Sequence, residues 1–313
     1  MRRHFAALPL ALACCLPALA VHAKDTPTTK ELLAASKPAE WRTPAADDLL
    51  YMQLPQGRVV IELAPAFTPL HAANIRTLVR QHYFDGLAIV RVQDNFVTQW
   101  DDPNGDDGGD KAKMHPLGKA KAKLPPEFTR PIDPKQPWTP LPDGDVYAPQ
   151  VGFSGGFPVA RDPANGKASG KEWLVQCYGM VGVARDVPPD SGNGSALYAI
   201  IGQAPRRLDH NLAVAGRVLQ GMQYLSALPR GTGSMGFYAK ASERTPILSV
   251  KLASELPPAQ REKIQVLRTS SPTFTALIDA ARHGHNAFYP TPVGKLGICD
   301  IHAPVRVDGK VLL

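Results

Sequence analysis

From Leu49 onward the chain alternates apolar and polar positions with the two-residue period of half-buried β-strands. Leu50-Tyr51-Met52-Gln53-Leu54 and Arg58-Val59-Val60-Ile61-Glu62-Leu63 flank the turn residues Pro55-Gln56-Gly57. In the second run Val59, Ile61 and Leu63 share one face and Arg58, Val60 and Glu62 the other, which predicts a hairpin with one buried side. The period then changes to helical. Thr68 stands where an N-cap belongs, Pro69 fits the first helical position, and Leu70, Ala73, Thr77 and Leu78 line one face, with Ile75 and Val79 beside it. Asp85-Gly86 ends that helix. Ala88 to Asp102 then reads as strand, turn and strand, with Arg91 on the first strand, Gln93-Asp94-Asn95 as the break, and Phe96-Val97-Thr98-Gln99 on the second.

Beyond residue 102 the pattern weakens. Residues 111–175 are rich in Pro, Gly and Asp, with Val151-Gly152-Phe153 and Phe157-Pro158-Val159 as short apolar pieces, and read as a partly ordered excursion. Strand-like runs return at Gly179–Arg185, Ala196–Ile200 and Val214–Met222, followed by a short helix over Met222–Leu228 and a closing strand over Pro246–Leu252. Farther on, Pro257–Arg268 and Pro272–Arg282 have helical composition, and Ile298–Ile301 and Val305–Val307 read as short strands. Residues 24–48, polar and rich in Ala and Pro, read as a lead-in arm.

Composition sharpens this picture. The 31 prolines and 26 glycines in 313 residues suit a loop-rich β protein better than a helical one. Residues 1–23 carry Arg2 and Arg3, an apolar run and the small-residue exit Val21-His22-Ala23, the pattern of a secretory signal cleaved before Lys24. Pro9 and Pro17 interrupt the run and argue against a membrane span; a lipoprotein anchor is the lesser alternative, since Ala11 stands where a site at Cys14 prefers leucine, and Cys15, with Leu12 at that place, directly follows another cysteine. The formal charge of +7 falls to +5 once the two signal arginines leave, and no basic stripe interleaved with aromatics exists, so nucleic acid is not expected as a partner. Cys177 and Cys299 remain after cleavage; in an exported protein they most simply form one disulfide, the alternative being two buried thiols. The acidic stretch Asp101–Asp110 lacks the glycine and closing glutamate of an EF-hand loop and reads as a solvated turn, so no metal site is expected.

The chemistry sits in residues 88–102. With Arg91 and Gln99 on the same side, that side offers one guanidinium, one amide and one aromatic ring, with no nucleophile beside a base, which suits binding and polarising an amide rather than shuttling a proton. This segment resembles the cyclophilins, the peptidyl-prolyl cis/trans isomerases, whose signature places an arginine on one strand and F-x-x-Q on the next; here these are Arg91 and Phe96-Val97-Thr98-Gln99. Four more phrases in the right order are similar to the family: the opening from Gly57 to Tyr83-Phe84-Asp85-Gly86, Gly179–Arg185, Ser191–Ile200, and Leu208–Met222. The resemblance implies a mainly β fold, a closed eight-stranded antiparallel barrel capped by two helices. It divides the chain into the signal 1–23, the arm 24–48, an isomerase domain 49–253 with an insertion at about 103–175, and a C-terminal extension 254–313 docked on the barrel. It implies that Arg91 is catalytic, that Phe96, Val97, Tyr198 and Leu208 floor a proline slot, that Gln99 binds the substrate carbonyl, and that the backbone of Ala184 and Arg185 pairs with an extended peptide. No cofactor or metal is implied. The expected partners are unfolded or proline-containing polypeptides, met as a monomer in the periplasm or outside the cell, without membrane insertion. Ala196, Arg207 and Leu212 depart from the family's usual residues, which leaves a peptide-binding module or holding chaperone as the alternative to an enzyme. No Ser/His/Asp or Cys/His set has the local context of a hydrolase.

Overall fold

The computed structural model describes residues 26–312 except 106–108, 165–169, 188–189, 204 and 287. The signal reading, with Cys14 and Cys15, and part of the acidic turn lie outside the described residues. Nine strands form one antiparallel sheet in the spatial order Thr245–Pro246, Ala88–Val92, Val97–Asp101, Leu197–Ile200, Met180–Val183, Val214–Gln220, Gly57–Leu63, Leu49–Leu54 and Ser249–Leu252. Only Ile247 and Leu248 separate the two end strands in the chain, so the sheet curls until its edges belong to one segment. Ile247 bonds Leu87 and Gly86 on one side, and the Leu248 amide donates to Gln53 O on the other. Counted as one segment, the closing strand makes the expected eight.

The alternation read from the sequence sets the inner core. Leu50, Met52, Leu54, Val59, Ile61, Leu63, Trp100 and Leu252 meet inside the curl, under the helix Pro69–Arg80 and the short helix Gln223–Ser226. The opposite face of the sheet is not solvated. Val60 is fully buried and Glu62 is 4% exposed, because arm, insertion and extension together cover it with a second apolar layer. In that layer Trp41, Val60, Phe153, Phe157, Trp173, Val266 and Phe274 belong to one cluster. Removing two apolar faces rather than one from water roughly doubles the burial such a strand contributes.

Several expectations change here. The insertion is not irregular: Arg130–Pro131, Lys171–Leu174, Phe157–Asp162, Gln150–Ser154 and Thr139–Leu141 make a five-stranded sheet, in that order. The arm is not a loose lead-in, since Trp41–Arg42 pairs with Ile264–Leu267, which continues through Val305–Val307 to Lys310–Leu312. The stretch Pro257–Arg268, expected helical, therefore contains a strand: Ile264 and Val266 alternate inward against the arm, and that burial overrides the helix-forming Glu262, Lys263 and Gln265 between and before them. Residues 298–301 form no strand. Pro272–His283 is helical as expected, capped by the Ser271 hydroxyl on the Phe274 amide.

The helix Pro69–Arg80 buries His71, Ala72, Ile75, Leu78 and Val79, while Leu70 and Ala73 are exposed, so its inward face lies one residue beyond the predicted one. Thr68 holds the N-cap position but makes no side-chain cap; its hydroxyl faces Ala64 O and Val214 O. Glu127 supplies the cap instead. Its carboxylate accepts the Leu70 amide at 3.0 Å, the His71 amide at 2.9 Å and His71 Nδ1 at 2.7 Å, satisfying two amides the first turn leaves without helical partners. Burial pushes this carboxyl up, but the His71 ring and the two amides together draw it below the ordinary glutamate range. A depressed folded-state value means its stabilisation is complete above the unfolded value and is lost as pH falls through the folded one. Glu127→Ala is expected to cost about 1–2 kcal/mol in urea denaturation at pH 7, with the difference shrinking below about pH 4.

Candidate active site

A bulge places the arginine. Ile89 faces Trp100 and Arg91 faces Gln99, so Val90 is one residue too many for the ladder. In unbroken register Arg91 would oppose Thr98, whose side chain points into the core at Leu225 O. The extra residue turns Arg91 outward, beside Gln99; bulges re-aim side chains in this way. Gln99 in turn faces Tyr198, and Tyr198 faces Gly182, making one row across four strands.

A cleft of about 680 Å³ opens over this row. Arg91, Phe96, Val97 and Gln99 line one part of it, and Ala184, Arg185, Tyr198 and Leu208 another, so all eight predicted residues meet there. Ala196 and Leu212 also line it, whereas the exposed Arg207 does not. The Ala184 amide already donates to Ala196 O at 3.0 Å, so a pairing peptide cannot use it as donor. The Arg185 guanidinium is tied back, with Nε on Asn211 O at 2.9 Å and Nη1 on Asp186 O at 2.6 Å.

The Arg91 guanidinium is half-buried. It donates from Nη1 to Gln99 Oε1 at 3.4 Å and from Nη2 to Gln93 Oε1, and its Cζ lies 5.4 Å from the Phe96 ring centre. Burial lowers its pKa from the usual arginine value, yet arginine remains charged at neutral pH. Phe237 and Met235, from a loop that carries no motif in the sequence, complete this wall.

The floor is a buried tyrosine. Its hydroxyl donates to Gln176 Oε1 at 3.2 Å, and burial pushes the phenol far up, so it stays neutral. The Gln176 backbone N–H donates to Asp209 Oδ1 at 3.1 Å, and Asp209 Oδ2 accepts from Trp173 Nε1 at 3.3 Å and Arg206 Nε at 2.7 Å. Arg206 also holds Asp145 with both Nη atoms, at 2.7 and 2.9 Å. Asp145 and Trp173, from the insertion, and Gln176 just beyond it thus brace the turn Arg206–Leu208 that carries Leu208. Nothing local in the sequence marks these partners. Gly182 leaves room for the ring: a Cβ there would overlap the Tyr198 phenol. Gly182→Ala is therefore expected to drive the ring into the slot and weaken proline-peptide binding about tenfold or more in titration, roughly 1.4 kcal/mol.

Among the described residues no group of three or more acidic, His or Cys side chains could hold a metal, and no helix is long and apolar enough to cross a membrane. Cys177 and Cys299 are bonded, with Cα atoms 5.2 Å apart.

The curled antiparallel sheet thus gathers an arginine, a glutamine and a tyrosine-floored apolar cleft on its outer face. A family model for cyclophilin type peptidyl-prolyl cis-trans isomerase/CLD matches residues 49–252, and the chain belongs to that family. It is 27% identical over 189 residues to probable peptidyl-prolyl cis-trans isomerases of Brucella suis and Brucella melitensis, covering 59% of this chain and 74% of each relative. The solved structure of cyclophilin AquaCyp293 from Hirschia baltica is 26% identical, with a TM-score of 0.68 over 90% of this chain and 97% of that one. The stretch 49–252 alone cannot supply 90% of the chain, so the likeness extends into the added layers.

Proposed function

We propose that this protein catalyses cis/trans isomerisation of X–Pro bonds in exported polypeptides, acting as a monomer in the periplasm or outside the cell. Rotation about an amide must overcome about 18–20 kcal/mol because resonance stiffens the C–N bond, which makes X–Pro isomerisation slow enough to limit folding. In the twisted state resonance is lost and the prolyl nitrogen regains its lone pair. An N–H of Arg91 aimed at that nitrogen stabilises the twisted amide more than the planar one, which is the condition for catalysis. In this scheme Phe96, Val97, Tyr198 and Leu208 seat the ring, Gln99 holds a substrate carbonyl, and the Arg185 backbone aligns the peptide. The scheme needs no covalent intermediate and no cofactor.

The observation that carries the reading is the bulge at Val90, which sets Arg91 beside Gln99 above the slot. The disulfide supports an oxidising compartment. Ala196 and Leu212 in the cleft favour a second reading, a groove that holds proline segments with little turnover. Proline-limited refolding of a denatured substrate protein separates the two. Acceleration by the wild type and none by Arg91→Ala supports the enzyme. Equal refolding rates with both proteins, joined to suppressed aggregation, supports the holding module.

A further inference from the structure

We infer that the loop Pro229–Tyr238 positions the Arg91 guanidinium, with the Phe237 ring and the Met235 carbonyl as its two points of grip. This rests on the reading of Arg91 as the catalytic group. Arg91 Nε donates to Met235 O at 2.7 Å, and its Cζ lies 5.2 Å from the Phe237 ring centre. With Phe96 at 5.4 Å, the guanidinium has two aromatic neighbours. A guanidinium carries five N–H groups. Those on Met235, Gln99 and Gln93 account for three, which leaves two, one on each Nη, for a substrate in the cleft. The planar cation is thus fixed from its rear edge and by its ring contacts.

The loop is built onto the arginine strand. Thr245–Pro246 pairs only with Ile89 and Ala88, and the loop takes up the same edge beyond them. Tyr238 N donates to Val90 O at 3.0 Å, Gly231 N donates to Val92 O at 2.9 Å, and Arg91 and Phe237 form a bridge. Inside the loop, Gly233 N donates to Phe237 O at 2.8 Å and the Tyr238 hydroxyl donates to Pro229 O at 2.6 Å. Met235 and Gly236 are consecutive left-handed residues, with φ of 51° and 78°. A methionine rarely adopts that conformation, and an outlier of this kind beside a cleft points to function. Glycine is required next to it, because a Cβ on Gly236 would press on the Gln93 backbone at 2.7 Å. The backbone is bent where its carbonyl meets Arg91.

Phe237 also lines the cleft, but a group whose main part is to aim the guanidinium changes turnover far more than affinity, since orientation within a few tens of degrees decides whether an N–H meets the prolyl nitrogen. The test measures the isomerisation rate of a proline tetrapeptide at saturation by NMR exchange, and its Kd by titration. Phe237→Leu is expected to lower the saturated rate about tenfold with Kd within twofold, and Phe237→Tyr, which keeps the ring, to restore the rate. In an Arg91→Ala background, Phe237→Leu is expected to remove nothing further from the residual rate. Wild-type turnover in Phe237→Leu, or the same tenfold loss without Arg91, overturns the proposal while leaving the arginine reading intact. Wild-type turnover in Arg91→Ala is instead a failure of the arginine reading itself. Circular dichroism checks folding, and Phe237→Met stands in should the leucine variant unfold.

Discussion

Glu62→Gln is expected to destabilise the protein by about 3–5 kcal/mol, read as a lower urea midpoint with an unchanged slope. Glu62 stands between two arginines, bonding Arg42 Nη1 at 2.5 Å and Arg217 Nε at 3.5 Å. The side chains of Glu62 and Arg217 are 5% and 6% exposed, and that of Arg42 is 19% exposed. Arg42 comes from the arm, and Glu62 and Arg217 from facing strands of the curled sheet. Arg42 Nη2 also donates to Gly155 O in the insertion, and Arg217 Nη1 to Ala303 O in the extension. One carboxylate thus holds together four parts of the chain. Burial lowers the Arg217 pKa to about 10, against the opposing pull of Glu62. Without the carboxylate, two cations face each other in a dry layer, and leaving a buried charge unpaired is far more costly than losing the pair's net contribution. Folding free energies are about 5–15 kcal/mol, so this loss is a large fraction of the whole. A change below about 1 kcal/mol would mean that water reaches the triad.

Reducing the disulfide is expected to cost a similar amount. Cys177 and Cys299 are 122 residues apart, and closing a loop of that order removes about 4–5 kcal/mol of unfolded-state entropy in the chain-entropy account. The bond ties the extension to the residue after Gln176, whose side chain holds the Tyr198 hydroxyl. Reduced protein is expected to unfold at a clearly lower urea concentration and to bind proline peptides more weakly than oxidised protein. Superimposable unfolding curves would show that packing alone secures the extension.

The first hairpin was legible from its two-residue alternation and its Pro-Gln-Gly turn, and the rest of the barrel from the phrases it shares with the cyclophilins. The second layer was not. Its strands are short, Pro140 and Pro158 stand inside them, and their burial comes from partners far along the chain. In Ile264–Leu267 the local composition pointed to helix while the tertiary environment selected strand. The site divides along the same line. Arg91, Phe96 and Gln99 lie within one readable phrase, and Tyr198 and Leu208 within two more. Glu127 as the cap of a helix 56 residues away, and Met235 as acceptor for an arginine 144 residues away, depend on contacts that no local spacing encodes.

The measurement that bears most directly on catalysis is the isomerisation rate of a bound proline peptide with wild type, Arg91→Lys and Arg91→Ala, read by NMR exchange at saturation. The account predicts that Arg91→Ala loses about 100-fold or more in rate, with peptide Kd changed less than about threefold and Arg91→Lys recovering only part of the loss, since an ammonium lacks the planar fork. Equal rates for wild type and Arg91→Ala on the same bound peptide would contradict it.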